Sequence, residues 1–365
     1  MNNRIVMLNN IPSPYCVDLF SCLEKSYPEY EFHFIFTNTS EDNRSWKLEE
    51  GRLTNCTFLK SRVLKLKAAH DHRYIHFPAN IEKELDAIDP SVVIAKEYNP
   101  SALQSLSWCK SHNRKYIHVT EGTLYSERSL NVIQKYSRKK IIRNADFCLA
   151  AGTKAKEKLL YWGAKEENTD IAYLTFDLSS FEGIQPDPVP GRLLYVGSFV
   201  ERKGLDLLLQ SLKYASSVKE LRIVGGGTAE EKDRLVRLSE ILHIEDRIIW
   251  AGYRQGNDLL EEYRRASAFV LPAREDCFGL VLLEAFVSKL PIVASKYADG
   301  AYDIVHNGAN GIIEDPYDGK VFADAIETVM TDPSFRQKAD LNDWSKFELN
   351  AVSKTYHDAI KRVLE

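Results

Sequence analysis

Apolar and polar positions along the chain follow two alternating patterns. Short runs rich in β-branched and aromatic residues are separated by longer segments in which apolar residues recur at helical spacing. In the first half, the runs predict strands at residues 4–8, 31–37, 91–95, 116–120 and 147–150. The segments between them predict helices at residues 15–25, 78–88, 100–113, 131–144 and 153–162. Strands that alternate with helices indicate parallel βαβ units, so we expect an α/β fold with a doubly wound parallel sheet.

A proline-rich segment interrupts this alternation. Residues 185–191 contain three prolines, which favours a stiff, extended linker over a helix. The alternation then resumes, with strands predicted at residues 192–196, 220–224, 248–251, 268–271 and 291–294. We therefore predict two Rossmann-like domains facing each other across a cleft, at residues 1–185 and 192–345, joined by a linker at residues 186–191. A C-terminal helix within residues 346–365 is expected to pack back on the first domain.

Composition narrows the class of protein. With 365 residues the chain is longer than a single core normally supports, which agrees with two domains. Its formal net charge of −4 gives no overall basic character, so no nucleic-acid partner is expected. The six cysteines are scattered without a Cys-x-x-Cys pair, which favours reduced thiols over disulfides or a zinc site. We therefore expect a cytoplasmic protein.

Ligands of parallel sheets bind beyond the carboxyl ends of the strands, so the strand-to-helix turns are the places to search. The turn after the strand at residues 192–196 carries Arg202 and Lys203 just before a helix. Two cations beside helix amides can hold a diphosphate, although a solvated surface pair has the same pattern. The next strand ends in Gly225 and Gly226, which permit close approach of a ligand or simply form a tight turn.

The richest turn follows the strand at residues 268–271. It carries Asp276 and leads into a wholly apolar helix that contains a single carboxylate, Glu284. A carboxylate in an apolar helix requires a partner. The hydroxyls of a ribose would provide one, and so would an internal Arg or Lys.

These turns, in this order, resemble those of the retaining glycosyltransferases of the GT-B fold, family four, over residues 190–330. The resemblance implies that Lys203 contacts the diphosphate of a UDP- or GDP-sugar donor, Glu284 the ribose hydroxyls and Asp276 the transferred sugar. It implies further donor contacts from Gly197, Ser198, Arg202, Gly225, Gly226, Tyr253, Arg254, Cys277, Phe278, Gly279 and Leu280. It also implies that the first domain binds a saccharide or lipid-linked acceptor, with Pro12, Ser13 and Tyr15 on the acceptor side. Such enzymes commonly assemble polysaccharides or glycoconjugates.

The chain departs from the family pattern at several positions. Asp276 replaces the usual glutamate, and Ser198 stands where the family has a phosphate-binding arginine, whose charge Arg202 would supply. The glycine pair after the first strand is missing. The histidine that follows a later strand of the first domain is also missing. Glu121 is its nearest counterpart as a catalytic group, and a structural carboxylate is the alternative for this residue.

The expected reaction is sugar transfer with retention of anomeric configuration and without a metal or cofactor. The chain contains no Asp-x-Asp, so cations and helix amides would stabilise the negative charge that develops on the leaving diphosphate. One alternative is a non-catalytic subunit that binds nucleotide sugars. A dinucleotide-dependent oxidoreductase is disfavoured because no Gly-x-Gly-x-x-Gly follows either first strand.

Two basic stretches of the first domain also contain apolar residues. One spans residues 60–67 and continues to Arg73, and the other is the predicted helix at residues 131–144. Both patterns are usual for solvated surfaces, but they also favour peripheral contact with an anionic membrane at the inner leaflet.

Overall fold

The computed structural model describes residues 3–39, 49, 51–67 and 72–365, without the side chains of residues 66, 67 and 72–74. The described chain forms two compact units. Unit 1 contains the described residues before Leu178 together with Ser345–Glu365, and unit 2 contains Leu178–Trp344. Among the described residues, no helix combines the length and apolar character that a membrane crossing requires.

Unit 1 is built on a seven-stranded sheet with the order β3-β2-β1-β6-β7-β8-β9, and all its pairings are parallel. These strands are β1 (Arg4–Asn9), β2 (Glu31–Phe36), β3 (Cys56–Phe58), β6 (Val92–Lys96), β7 (Lys115–Thr120), β8 (Phe147–Ala150) and β9 (Thr169–Ile171). The helices are α1 (Pro14–Ser26), α2 (Ile81–Ile88), α3 (Pro100–Ser111), α4 (Val132–Asn144), α5 (Thr153–Trp162) and α14 (Leu349–Leu364).

Both faces of this sheet are covered. Successive residues of a strand point to opposite faces. On β1, Ile5 and Met7 pack in one apolar cluster with residues of α1 and α14, while Val6 and Leu8 pack in a second cluster with residues of α2–α5. Continuous apolar strands are typical of parallel sheets that are buried on both sides. The predicted doubly wound α/β fold is confirmed.

A two-stranded antiparallel hairpin in unit 1 departs from the predicted alternation. Strand β4 (Ser61–Lys67) pairs with β5 (His72–Pro78). The basic stretch at residues 60–67 is therefore largely a strand, on which Val63 is 38% and Leu64 48% exposed. A strand in an isolated hairpin carries no strong apolar alternation, because neither face is fully buried.

Unit 2 has a six-stranded parallel sheet with the order β12-β11-β10-β13-β14-β15. The strands are β10 (Arg192–Val196), β11 (Glu220–Val224), β12 (Ile248–Gly252), β13 (Ala268–Leu271), β14 (Ile292–Ser295) and β15 (Gly311–Glu314). The helices are α6 (Ser179–Glu182), α7 (Leu205–Leu212), α8 (Ala229–Ile241), α9 (Asn257–Arg265), α10 (Leu280–Val287), α11 (Ala301–Ile304), α12 (Gly319–Thr331) and α13 (Pro333–Ala339). Because β10 and β13 are neighbours, the turns that follow them start from the same edge of the sheet.

The division between the units falls after Asp177, ahead of the predicted boundary at residues 185–186. The proline-rich segment 186–191 lies within unit 2, because the backbone N–H groups of Asp187 and Val189 donate to carbonyls at the end of α9 at 2.9 Å. The C-terminal helix α14 lies in unit 1, where Tyr356 and Ile360 join the apolar cluster beneath α1.

Candidate donor site

Arg274 joins the turn after β13 to the turn after β10. Its guanidinium makes two hydrogen bonds of 2.7 Å to the carboxylate of Asp206 and a third of 2.9 Å to the carbonyl of Glu201. Its backbone N–H donates to the carbonyl of Arg202 at 2.8 Å. A bidentate arginine–carboxylate pair combines strength with a fixed geometry. The two turns therefore form one braced structure, and residues 201–203 are held against residues 274–276.

This bracing brings together two of the predicted site residues, Lys203 and Asp276. The Lys203 ammonium lies 2.5 Å from the Asp276 carboxylate, and the two side chains are only 16% and 11% exposed. Burial raises the pKa of Asp276, but the charges of Lys203 and Arg202 outweigh it and hold that pKa below its ordinary value. Asp276 is therefore an ionised carboxylate beside two cations. Arg202 also donates to the carbonyl of Glu275 at 3.0 Å.

Glycines allow the backbones of neighbouring turns to touch at this edge. A Cβ added to Gly225, whose φ is +135°, would lie 1.9 Å from the carbonyl oxygen of Gly197. A Cβ at Gly204 would lie 2.0 Å from the carbonyl oxygen of Pro272. Gly226, in contrast, faces open space. Gly197 and Gly225 thus serve close packing between the ends of β10 and β11, whereas Gly226 leaves room beside them.

Helix α10 begins next to the Lys203–Asp276 pair. Gly279 precedes it in the left-handed region, with φ +76°, and Leu280 is its first residue. Phe278 is buried and Cys277 half-buried. The amides of the first helical turn have no partner within a helix, and the helix dipole adds positive potential there. The structure therefore places a helix N-terminus close to two cationic side chains.

Glu284 lies one turn further along α10, and its partner within the protein is a tyrosine rather than the internal Arg or Lys that the sequence left open. The hydroxyl of Tyr263 donates to its carboxylate at 2.6 Å. Tyr263 is fully buried on α9, between Phe181 and Phe269. Burial raises the pKa of Glu284 above its ordinary value, and the hydrogen bond from Tyr263 acts against that rise.

The remaining predicted donor contacts lie at the ends of β10 and β12. Ser198 is exposed, and its carbonyl accepts a hydrogen bond of 2.9 Å from the Tyr195 hydroxyl. Tyr253 is 74% exposed. Arg254 lies 4.0 Å from the carboxylate of Glu262. The exposed ring of Tyr253 is thus free to stack on a flat ligand, but neither residue belongs to the braced pair of turns.

Glu121, in unit 1, forms an ion pair with Lys96. Burial lowers the pKa of Lys96, but the charges of Glu121, Tyr15 and Cys16 together with the hydrogen bond to Glu121 outweigh it and leave the pKa well above its ordinary value. The Lys96 ammonium also lies 5.0 Å from the centre of the Tyr15 ring. Pro12 and Ser13 are both buried at the turn before α1, so Tyr15 is the most accessible of the three acceptor-side candidates.

In the part of the chain that the structure describes, no three His, Cys, Asp or Glu side chains come together to form a cluster that could hold a metal ion. The charged groups next to the start of α10 are instead the cations Lys203 and Arg202 and the carboxylate of Asp276. Such a site is suited to an anionic ligand, provided that the ligand replaces Asp276 as the partner of Lys203.

Comparison with known families agrees with this geometry. Residues 181–343, nearly all of unit 2, match the family described as glycosyl transferases group 1. This part of the chain is therefore similar to that family. The group 1 glycosyl transferase match contains every residue of the candidate donor site, and it favours sugar transfer over the oxidoreductase alternative.

Whole-length comparisons extend the likeness to both units. The lipopolysaccharide 1,6-galactosyltransferase of Escherichia coli is 24% identical over 308 residues, covering 82% of this chain and 80% of the relative. The apo structure of the lipopolysaccharide outer core galactosyltransferase WaaB has a TM-score of 0.74 at 18% identity, covering 98% of this chain and 99% of its own. Anabaena HepE in complex with UDP has a TM-score of 0.79 at 15% identity, covering 98% and 100%. These structures show that the chain has the GT-B fold.

Three residues of these sites were not identified from the sequence. Lys96 directly follows a predicted strand and Arg274 lies three residues beyond another, where a charged residue is a usable signal. Tyr263 has no such signal, because it lies in the middle of an amphipathic helix and its apolar ring accounts for its position.

Proposed function

We propose that this chain transfers a hexosyl group from a nucleoside-diphosphate sugar to a saccharide or lipid-linked acceptor, with retention of configuration and without a metal. The observation that carries the proposal is the Lys203–Asp276 pair beside the start of α10. Complexes of HepE with UDP and with UDP-glucose support UDP over GDP in the donor. The galactosyltransferase relatives act, by their names, on lipopolysaccharide, which supports a role in glycoconjugate assembly.

The donor's diphosphate would take over Lys203 from Asp276. The ammonium, Arg202 and the amides at the start of α10 then stabilise the negative charge that grows on the leaving phosphate. Asp276, released, accepts hydrogen bonds from hydroxyls of the transferred sugar, and Glu284 accepts those of the ribose. The bond from the anomeric carbon to the phosphate oxygen breaks with its electron pair leaving on UDP. The acceptor oxygen bonds on the same face, and its proton goes to the departing phosphate.

Two substitutions test this assignment. Lys203→Met removes one charge-assisted contact, of about 1.5–3 kcal/mol, so donor turnover should fall roughly 10- to 150-fold. Glu284→Gln should weaken binding of free UDP as well, since the ribose is common to donor and product. The matched control is Lys232→Met, which removes an exposed lysine of α8.

Donor hydrolysis and UDP binding are measured on the same samples. Unchanged hydrolysis and binding in both variants would show that the donor lies elsewhere. Tight UDP binding by the wild-type protein without hydrolysis or transfer would instead establish the non-catalytic alternative.

We further propose that the acceptor is reached at an anionic membrane through the α4 surface, defined as Val132, Ile133, Lys135, Tyr136, Lys139 and Lys140. Val132, Ile133 and Tyr136 are 82%, 79% and 66% exposed, although large apolar side chains are normally buried. The three lysines are also exposed, and α4 carries no acidic residue. Arg138 does not contribute, because it turns inward to Glu127 at 3.0 Å.

Apolar side chains beside lysines match an interface of acyl chains and anionic headgroups. Each lysine near an anionic leaflet contributes about 1 kcal/mol, within a Debye length of about 8 Å at physiological ionic strength. On the hairpin, the exposed Arg62 and Lys65 add charge, while the side chains of Lys67 and Arg73 lie outside the described residues.

Sedimentation with liposomes tests the α4 surface. The protein should pellet with anionic liposomes at low salt and stay in the supernatant with neutral ones. Ile133→Asn should reduce pelleting, whereas Ile241→Asn, at a 73% exposed position on α8 in unit 2, should not. Equal pelleting of both variants, or none with either liposome, would favour a soluble acceptor.

A further inference from the structure

Unit 1 contains a pocket of its own between its sheet, α1 and α14. The pocket encloses about 530 Å³ of space outside atoms, its open mouth included. Its walls are largely apolar and include Leu19 and Phe20 of α1, Tyr356 of α14, and Ala172 and Leu174 after β9. Ligand pockets typically have this character, with apolar walls and a few polar groups that orient the ligand.

The polar groups of the pocket lie where a parallel sheet normally binds its ligand. In the strand order of unit 1, β1 is flanked by β2 on one side and β6 on the other, so the direction of winding reverses between β1 and β6. Ligands of doubly wound sheets bind beyond the carboxyl ends of the strands at such a switch point. Asn9 ends β1, Lys96 ends β6 and Glu121 follows β7, and all three line the pocket.

Glu97, the residue after Lys96, helps to hold the Lys96–Glu121 pair in position. Glu97 adopts a left-handed backbone conformation, with φ +63°, that non-glycine residues rarely take. Its carboxylate accepts a hydrogen bond of 2.7 Å from the backbone N–H of Glu121. Backbone strain of this kind persists where surrounding contacts enforce it, and it is concentrated at functional sites.

The pair also limits the charge of a ligand. Lys96 offers N–H donors and Glu121 offers carboxylate oxygens as acceptors, so a hydroxyl group, which both donates and accepts, can satisfy the two together. The Glu121 carboxylate would repel an anionic group, and the Lys96 ammonium would repel a cationic one. The pair therefore favours an uncharged hydroxylated group, while the walls favour an apolar one.

We propose that this pocket binds the acceptor as an uncharged glycoside, with an apolar aglycone between α1 and α14 and a sugar hydroxyl at the Lys96–Glu121 pair. This rests on the proposed function, which supplies the need for an acceptor. It goes further by stating that the acceptor is an amphiphile and that unit 1 recognises its apolar part.

Alkyl glucosides of increasing chain length, from methyl to hexyl, provide the probe. Each methylene that enters the pocket should tighten binding about fourfold, as expected for apolar burial. Ala172→Leu adds volume at a buried position of the pocket wall and leaves both residues of the charged pair in place. It should abolish the gain with chain length, whereas Ala87→Leu on the exposed face of α2 should preserve it. Ala151→Val, a smaller change in the same lining, serves if the leucine variant does not fold.

UDP-sugar hydrolysis, measured on the same samples, separates this proposal from the proposed function. Hydrolysis should remain within about twofold of wild type in all three variants, because the donor residues lie in unit 2. Equal affinity for methyl and hexyl glucosides, or an undiminished gain in both folded pocket variants, would overturn the pocket assignment and leave donor chemistry untouched. An alkyl phosphate that binds more tightly than the alkyl glucoside would equally overturn the assignment of an uncharged ligand.

Discussion

The hydrogen bond from Tyr263 to Glu284 allows a test of what Tyr263 contributes to stability. Its hydroxyl either stabilises the Glu284 carboxylate, or the residue contributes only through the packing of its ring in the core. Tyr263→Phe removes only the hydroxyl and keeps the ring between Phe181 and Phe269. The 2.6 Å hydrogen bond to Glu284 is then lost. A hydrogen bond to a charged group contributes about 1.5–3 kcal/mol, against about 0.5–1.5 kcal/mol for a bond between neutral groups.

The size of this loss should depend on pH. Burial raises the pKa of Glu284 above its ordinary value of 4.5, and the Tyr263 hydroxyl acts against that rise. Between the unfolded and folded pKa values the native state binds more protons, so the free energy of unfolding falls as pH increases. Without the hydroxyl the folded pKa rises further and this decline extends to higher pH. Tyr263→Phe should therefore cost about 1 kcal/mol more at pH ~8 than at pH ~5.

Urea denaturation at the two pH values measures the free energy of unfolding. Because UDP is expected to bind unit 2 and stabilise it, the unfolding transition that shifts when UDP is added is that of unit 2. Tyr195→Phe is the matched control, because Tyr195 is equally buried but its hydroxyl donates at 2.9 Å to the neutral carbonyl of Ser198. The decrease in the free energy of unfolding caused by Tyr195→Phe should be the same at both pH values. If Tyr263→Phe also shows no dependence on pH, Glu284 is not the ionised partner of this hydroxyl, and the reasoning is refuted.

Gly225→Ala should abolish UDP binding or folding, because its Cβ would lie 1.9 Å from the Gly197 carbonyl oxygen, whereas Gly226→Ala, which faces open space, should be tolerated in the same binding assay. Transfer should survive excess EDTA, and activity lost on chelation and restored by Mn²⁺ or Mg²⁺ would reveal a metal site. Thr228→Ala breaks the capping box of α8, where Thr228 and Glu231 bond reciprocally, and should lower the free energy of unfolding by about 1 kcal/mol without changing UDP affinity.

Ten strands of the two sheets could be predicted because their signals are local, whereas the edge strands β3, β9 and β15 were not predicted. An apolar run of four to six residues bounded by turn residues indicates a buried strand wherever it occurs. The predicted strands at residues 147–150, 192–196 and 268–271 coincide with β8, β10 and β13. The hairpin of β4 and β5 was not predicted, because an exposed strand has neither a long apolar run nor a strict alternation of apolar and polar residues.

The residue types of the candidate site were also visible in the sequence, because charged residues in strand-to-helix turns and in apolar helices are conspicuous. Lys203 was identified as a cation just before a predicted helix, Asp276 as a carboxylate in such a turn and Glu284 as the single carboxylate of an apolar helix. Glu121 was identified only as the nearest counterpart of a histidine in the family that the chain resembles. The partners of these residues were not identified. An internal Arg or Lys was one partner that the sequence left open for Glu284, and within the protein the structure pairs Glu284 with the Tyr263 hydroxyl instead.

Partners depend on strand order, which no local pattern encodes. Lys203 meets Asp276 because β10 and β13 are neighbours, although 73 residues separate the two side chains in sequence. In the same way, the end of β6 and the turn after β7 bring Lys96 to Glu121, and α14 reaches the sheet of unit 1 from the far end of the chain. The sequence by itself therefore determined most of the helices and strands and the charged residues beside them. Only the tertiary structure decided which of those charges meet, because a pairing over such a distance is set by the packing of whole sheets and helices.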